Sequence, residues 1–173
     1  MKRNTLIEAK SLLLGQNKRM NKRIVVENLR SAYNVGNIIR TADALGWGVI
    51  FVGYTARPDH KEVKKTALGA ELTIPTMDFE HLSDALSFMQ THGLIIAAEI
   101  TENSIPLTDI HDKIKNFTLG SELYVIVGNE VTGVESETLE KTDIISHIPM
   151  LGIKESLNVG QAAALFMREL QGL

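Results

Sequence analysis

The 173-residue chain has no cysteine. That absence removes disulfides, thiolate nucleophiles, zinc knuckles and iron–sulfur clusters together. No apolar run approaches the roughly 18 residues that a membrane-crossing helix needs. The start, Met1-Lys2-Arg3, is basic, but Glu8 and Lys10 interrupt the leucines that follow, which argues against a secretory signal. A cytoplasmic protein is the expectation. Several catalytic signatures are missing as well. No Gly-x-Gly-x-x-Gly follows a strand, since Gly46 and Gly48 precede one, so a Rossmann dinucleotide site is unsupported. There is no P-loop, no Gly-x-Ser-x-Gly elbow and no His-Glu-x-x-His. The five histidines (His60, His81, His92, His111 and His147) are scattered without ligand spacing, and no metal is expected.

The remaining composition, 44% hydrophobic, 23% charged and 5% aromatic, is that of an ordinary globular protein large enough to bury a core. Charge is unevenly placed. Residues 1–23 carry seven basic side chains against Glu8 alone, a net +6, while the rest holds eleven basic and twenty acidic groups, a net −9. A basic arm on an acidic body points to a polyanionic partner, although a solvated lysine-bearing helix explains the same count. The expected division is an arm or helix over 1–22 and one domain over 23–173, with no repeat or linker between them.

Short β-branched runs predict strands over 23–26, 48–52, 72–75, 94–98, 124–127 and 144–148. Several are apolar throughout, as strands covered on both faces must be. Helical spacing predicts helices over 35–45, 80–91, 136–141 and 158–170, with a leading helix at 5–14. This alternation predicts an α/β fold with a mostly parallel sheet and helices on both faces. Ligands of such sheets bind at the loops beyond the carboxyl ends of the strands. The loops to inspect are therefore 28–36, 53–69, 99–104, 128–133 and 149–158.

Three of these loops carry candidate chemistry. In the first, Asn34 fits a helix N-cap. Arg40 follows two turns on, opposite the isoleucine stripe, either as a solvent-facing partner of Asp43 or as a guanidinium fork for a phosphate. The second loop runs Gly128-Asn-Glu130-Val-Thr-Gly133; Gly128 permits close approach and Glu130 places a carboxylate there, which also suits an ordinary helix-starting turn. In the third, Asn158 with Gln161 three residues on resembles a capping box. Singly, each signal is weak.

Taken in order, the three segments resemble the three motifs of the SpoU (TrmH-like) branch of the SPOUT RNA methyltransferases. Asn34-Val-Gly36-Asn-Ile-Ile-Arg40-Thr-Ala42 is similar to motif 1, Ile126-Val-Gly128-Asn-Glu130-x-x-Gly133 to motif 2, and Ile148-Pro149-Met150 with Ser156-Leu157-Asn158-Val159 to motif 3. Lys65-Thr-Ala-Leu-Gly69-Ala70 is also similar to a segment common among these proteins. The likeness spans residues 23–170.

The resemblance implies a C-terminal deep trefoil knot, a topology that general connection rules treat as a rare exception. It implies S-adenosyl-L-methionine as cofactor, contacted at Gly128, Ile148 and Leu157, a homodimer, and methylation of a ribose 2′-hydroxyl in tRNA or rRNA, with tRNA the first expectation. Arg40, Asn34, Glu130, Ser156 and Asn158 are the catalytic positions it implies. A guanidinium with a pKa above about 12 is scarcely ever neutral at pH 7, so Arg40 is expected to clamp a phosphate and steady the developing alkoxide. The proton would then leave through phosphate, water or Glu130. Ser31-Ala32-Tyr33 departs from the Asp-Pro-type turn of many members, and Tyr33 reads either as a packed side chain or as a stacking surface for a base. Two other classes stay open: a non-catalytic RNA- or S-adenosylmethionine-binding protein on the same fold, and a methyltransferase of small molecules.

Overall fold

Strands and helices alternate along the chain largely as the periodicity predicts. The computed structural model describes residues 21–115, 117 and 122–173. The expected leading helix at 5–14 and all of the basic arm before residue 21 lie outside them. The elements are β1 (Asn21–Glu27), α1 (Ala32–Leu45), β2 (Gly48–Val52), α2 (Lys61–Ala67), β3 (Thr76–Phe79), α3 (Leu82–His92), β4 (Gly93–Ala98), β5 (Ile105–Pro106), α4 (Ile110–Ile114), β6 (Glu122–Val127), α5 (Ser136–Lys141), β7 (Ile144–His147) and α6 (Val159–Glu169). The seven strands form one sheet in the order β3-β2-β1-β6-β4-β7-β5, and every pairing is parallel.

Alternate side chains of the central strands build two cores. Ile24, Val26, Val49, Phe51, Leu94, Ile96, Val125 and Val127 face one side, under α1, α4 and α6. Val25, Ile50, Val52, Ile95, Tyr124 and Ile126 face the other, where Ala85, Leu86 and Met89 of α3 cover them. Each fully buried branched or aromatic side chain contributes roughly 1.5–3 kcal/mol over its exposed state. Trp47, buried at the amino end of the sheet, donates its indole N–H to Gln171 Oε1 at 2.8 Å and so ties the C-terminus to the end of α1.

The differences from expectation have physical causes. The strand predicted over 72–75 is absent: residues 70–72 form a 3₁₀ turn with Leu72 80% exposed, and the edge strand lies just beyond Pro75, over Thr76–Phe79. Only Met77 and Phe79 of that strand pack inward, so its mixed sequence carries no apolar run. Helix α2 is a single face of Val63 and Ala67 among lysines, too short for a periodic signal. Asn34 is not the N-cap of α1. The cap is Ser31, whose Oγ accepts the Asn34 N–H at 3.3 Å, and the helix begins at Ala32.

Because the strands run parallel, their carboxyl ends share one edge. From β1 the chain turns towards β2, and from β6 it turns the other way, towards β7. The crevice between the loops after β1 and β6 is therefore the topological switch point of the sheet, where open α/β folds bind their ligands.

Candidate active site

A cavity of about 620 Å³ opens at the carboxyl ends of β4, β6 and β7. Its walls are Ala98–Thr101 after β4, Val127–Val134 after β6, Ser146–Ile148 and Met150 after β7, and Ser156–Val159 leading into α6, closed behind by Ala162 and Phe166. The volume falls in the ordinary range for a small-molecule site. Gly128, Ile148 and Leu157, the three positions expected to meet a cofactor, all line it, as do Glu130, Ser156 and Asn158.

The loop after β6 is rigidly closed. Asn129 and Gly133 exchange two backbone hydrogen bonds, each 2.9 Å, and Asn129 Oδ1 accepts the N–H groups of Val131 at 2.8 Å and Thr132 at 3.2 Å. Gly128 sits where this turn folds back on itself: a Cβ there would overlap the main chain of Gly133 and the amide nitrogen of Val134. Glu99 braces the outside of the turn by accepting the Val134 N–H at 2.9 Å.

Glu130 reaches from this loop across the switch point. Its carboxylate accepts the N–H groups of Arg30 at 2.9 Å and Ser31 at 3.1 Å, and the Asn34 side-chain amide at 3.0 Å. Burial by itself would raise the Glu130 pKa, but the Arg30 N–H, the Asn34 amide and the neighbouring main-chain donors outweigh it and hold the carboxyl below the ordinary glutamate value. Asn34 in turn accepts Asn158 Nδ2 on its Oδ1 at 3.1 Å. Asn158 caps α6, its Oδ1 accepting the Gly160 N–H at 2.9 Å, so the capping reading of Asn158 holds with Gly160 as the donor. One relay, Glu130–Asn34–Asn158, thus joins the three motif segments.

Two expected site residues stand apart from the relay. Ser156 is exposed at the cavity wall in the wholly exposed stretch 151–158. Arg40 does not line the cavity; it lies on the exposed face of α1, about 9 Å of helix rise beyond Asn34. The alternative of a pairing with Asp43 is not formed: Asp43 meets the Thr73 hydroxyl at 3.5 Å, and Arg40 has no ion pair among the described residues. No described lysine or arginine lines the cavity.

Sequence reasoning overlooked two hydroxyls. Thr101 Oγ1 and Ser146 Oγ are buried at the cavity wall with no hydrogen-bond partner among the described residues. A buried hydroxyl left unpaired is costly, and a polar ligand in the cavity would relieve that cost. Single serines and threonines at strand ends leave no trace in periodicity, so only the fold could find them. His147, beside them, is held by Ser104 Oγ at 2.9 Å from its Nδ1.

Comparison with known proteins settles the family. The model of the SpoU rRNA Methylase family matches residues 21–168. The chain belongs to this family. Among the curated relatives, the 23S rRNA (guanosine(2553)-2'-O)-methyltransferase RlmP of Bacillus subtilis (strain 168) is 32% identical over 150 residues, which cover 86% of this chain and 57% of RlmP. The chain therefore spans just over half the length of the curated relatives it matches. Among solved structures, the AdoMet-bound rRNA methyltransferase from Sinorhizobium meliloti aligns with a TM-score of 0.76 at 24% identity, covering 89% of this chain and 57% of that one. The SpoU methyltransferase AviRb from Streptomyces viridochromogenes aligns equally well at 22% identity over 89% and 60% of the two chains. A structure concerned with 2-OH methylation of C/U34 on tRNA aligns at 0.71 with 23% identity, and 99% of that chain is covered. These likenesses establish the fold: a parallel sheet with helices on both faces, shared with SPOUT methyltransferases.

Proposed function

We propose that this protein transfers a methyl group from S-adenosyl-L-methionine to a ribose 2′-hydroxyl of RNA in the cytoplasm. The observation that carries the reading is the cavity at the carboxyl ends of β4, β6 and β7, beside the switch point: the second and third SpoU motifs line it, and the Glu130–Asn34–Asn158 relay ties the first to them. The cavity suits the cofactor on its own chemistry. The tight main chain at Gly128 and the side chains of Ile148 and Leu157 would enclose an adenosine moiety, and the unpaired Thr101 and Ser146 hydroxyls offer it polar partners. The chain between β7 and α6, residues 148–158, is read as the threaded segment of the trefoil knot.

When bound, the cofactor supplies an electrophilic methyl group, whose in-line displacement depends chiefly on alignment. The residues of this chain then provide position and charge. Glu130, with its carboxylate engaged by three donors and its pKa lowered, is a weak base and serves as a positioning residue that fixes the entrance to α1. Asn34 and Asn158 hold the α1 and α6 entrances together, which places the Ser156 hydroxyl at the cavity rim. Arg40 clamps the phosphate beside the target ribose and stabilises the alkoxide as the 2′-hydroxyl gives up its proton to that phosphate or to water. Because Arg40 lies outside its own chain's cavity, a homodimer that brings it from a second copy completes the site. The fully exposed Leu151 and Ile153, on the cavity-forming segment, support such an interface.

A tRNA is the substrate favoured here, because the tRNA-modification structure is matched over almost its whole chain. The similarity to RlmP favours the second reading, an rRNA. Calorimetry with S-adenosylmethionine, followed by transfer of its labelled methyl group to unfractionated RNA, tests the proposal. Binding with RNA-dependent transfer supports it, whereas transfer to small molecules alone would overturn it.

A further inference from the structure

One exposed aromatic is fixed directly to the loop after β6. Tyr54, in the loop after β2, is 63% exposed, yet its hydroxyl accepts a hydrogen bond from Asn129 Nδ2 at 2.7 Å. Asn129 is itself buried and immobilised, since the same amide donates to the Asn28 carbonyl at 2.8 Å and its Oδ1 caps two main-chain N–H groups. The Tyr54 backbone is held as well, its N–H donating to Asn28 Oδ1 at 3.4 Å. This close seating requires Gly53, which has φ +67° and where a Cβ would overlap Asn28 Oδ1, and it sets Asn28 at a positive φ of 52°. A tyrosine hydroxyl tied down while its ring stays in solvent buries little area for the ordering it costs, so folding alone gives little reason for it.

The surroundings point to what the ring receives. Asn129 is a wall of the cavity and Tyr54 is not, so Tyr54 stands one side chain beyond the cavity rim. Arg30 lies on the same rim, two residues from Asn28. Its N–H is fixed by Glu130, its side chain is exposed, and it has no ion pair among the described residues. Tyr33, the aromatic singled out in the sequence, is tied differently: its carbonyl accepts the Thr66 hydroxyl at 3.1 Å, which fixes it against α2.

Resting on the proposed RNA-methyltransferase reading, we propose that Tyr54 is an RNA-binding residue beside the site: it stacks on the base of a nucleotide flanking the target, while Arg30 engages the adjoining phosphate. Aromatic stacking on single-stranded RNA tolerates any base and is typically lost tenfold or more in affinity on truncation. A single phosphate contact instead appears in the salt dependence.

The test uses unfractionated bacterial tRNA and rRNA as probe, with filter-binding affinity and KM for methyl transfer measured for wild type, Y54F, Y54L, Y54A and R30Q. Y54A and Y54L should each raise Kd and KM for RNA by about tenfold with the salt slope unchanged, while Y54F, which keeps the ring, stays within about twofold of wild type. R30Q should flatten the slope of log Kd against log salt by about 0.7. S-adenosylmethionine affinity should be unchanged in all four variants. If Y54L behaves as Y54F while the wild type still methylates RNA, the stacking role is wrong and the methyltransferase reading survives. If the wild type neither binds nor methylates any RNA, the reading itself fails and this inference falls with it.

Discussion

Replacing Asn34 with alanine removes a side chain that hydrogen-bonds both other motif segments. Two hydrogen bonds go: Asn34 Nδ2 to the Glu130 carboxylate at 3.0 Å, and Asn158 Nδ2 to Asn34 Oδ1 at 3.1 Å. A bond to a charged group contributes roughly 1.5–3 kcal/mol and a neutral one 0.5–1.5 kcal/mol. Both lie near solvent, so the lower ends apply and the loss is about 2 kcal/mol. For a chain of this length that lowers Tm by about 6 °C. About 1.5 kcal/mol of the loss belongs to the Asn34–Glu130 pair and should emerge as the coupling energy of a double-mutant cycle over N34A, E130A and the double variant, read from urea unfolding. N34D should be worse than N34A, because it sets a second carboxylate against Glu130. Additivity of N34A and E130A within about 0.3 kcal/mol would refute the relay.

Other expectations concern the same loops. G128A forces a methyl group into the main chain of Gly133 and Val134, neither of which can rotate away; it should cost about 1–3 kcal/mol in stability and abolish S-adenosylmethionine binding by calorimetry. R40K should leave the thermal melt unchanged, since Arg40 has no ion pair among the described residues, yet lower methyl transfer at least about tenfold through loss of the planar fork. Near-wild-type turnover in R40K would rule out a bidentate clamp. Acid should act through Glu130, whose folded pKa lies below the free value of 4.5. The native state then binds fewer protons than the unfolded one, so this stabilisation is complete above pH 4.5 and is lost as pH falls through the folded value. Glu27, raised by burial, acts in the opposite sense, its contribution full below pH 4.5 and lost as pH rises through its folded value. Denaturation of wild type, E130Q and E27Q between pH 3 and 7 separates the two.

The central strands were legible because burial on both faces leaves uninterrupted apolar runs. Strand β2 occupies residues 48–52, the span read from the sequence, and β1, β4, β6 and β7 differ only at their ends. The edge of the sheet was not legible. Thr76–Phe79 alternates polar and apolar side chains over four residues, and Ile105–Pro106 is too short for any pattern. The motif segments were visible as sequence, but their coupling was not: Glu130 and Asn34 are 96 residues apart and meet only because β1 and β6 pair. Nor could spacing show that Ser31, rather than Asn34, caps α1. Asn34 resembles a cap in composition, but its side chain is committed to the relay. Tyr54 had no signal at all, since an aromatic in a loop becomes informative only when its hydroxyl is seen to meet Asn129.

The central claim is ribose methylation of RNA, and the chemistry of the product decides it. Labelled methyl groups transferred from S-adenosyl-L-methionine to fractionated tRNA and rRNA should survive alkaline digestion in alkali-resistant dinucleotides, because a 2′-O-methyl group blocks cleavage at its own linkage. Recovery of the label in ordinary mononucleotides would mean that a base is methylated, and would contradict the assignment.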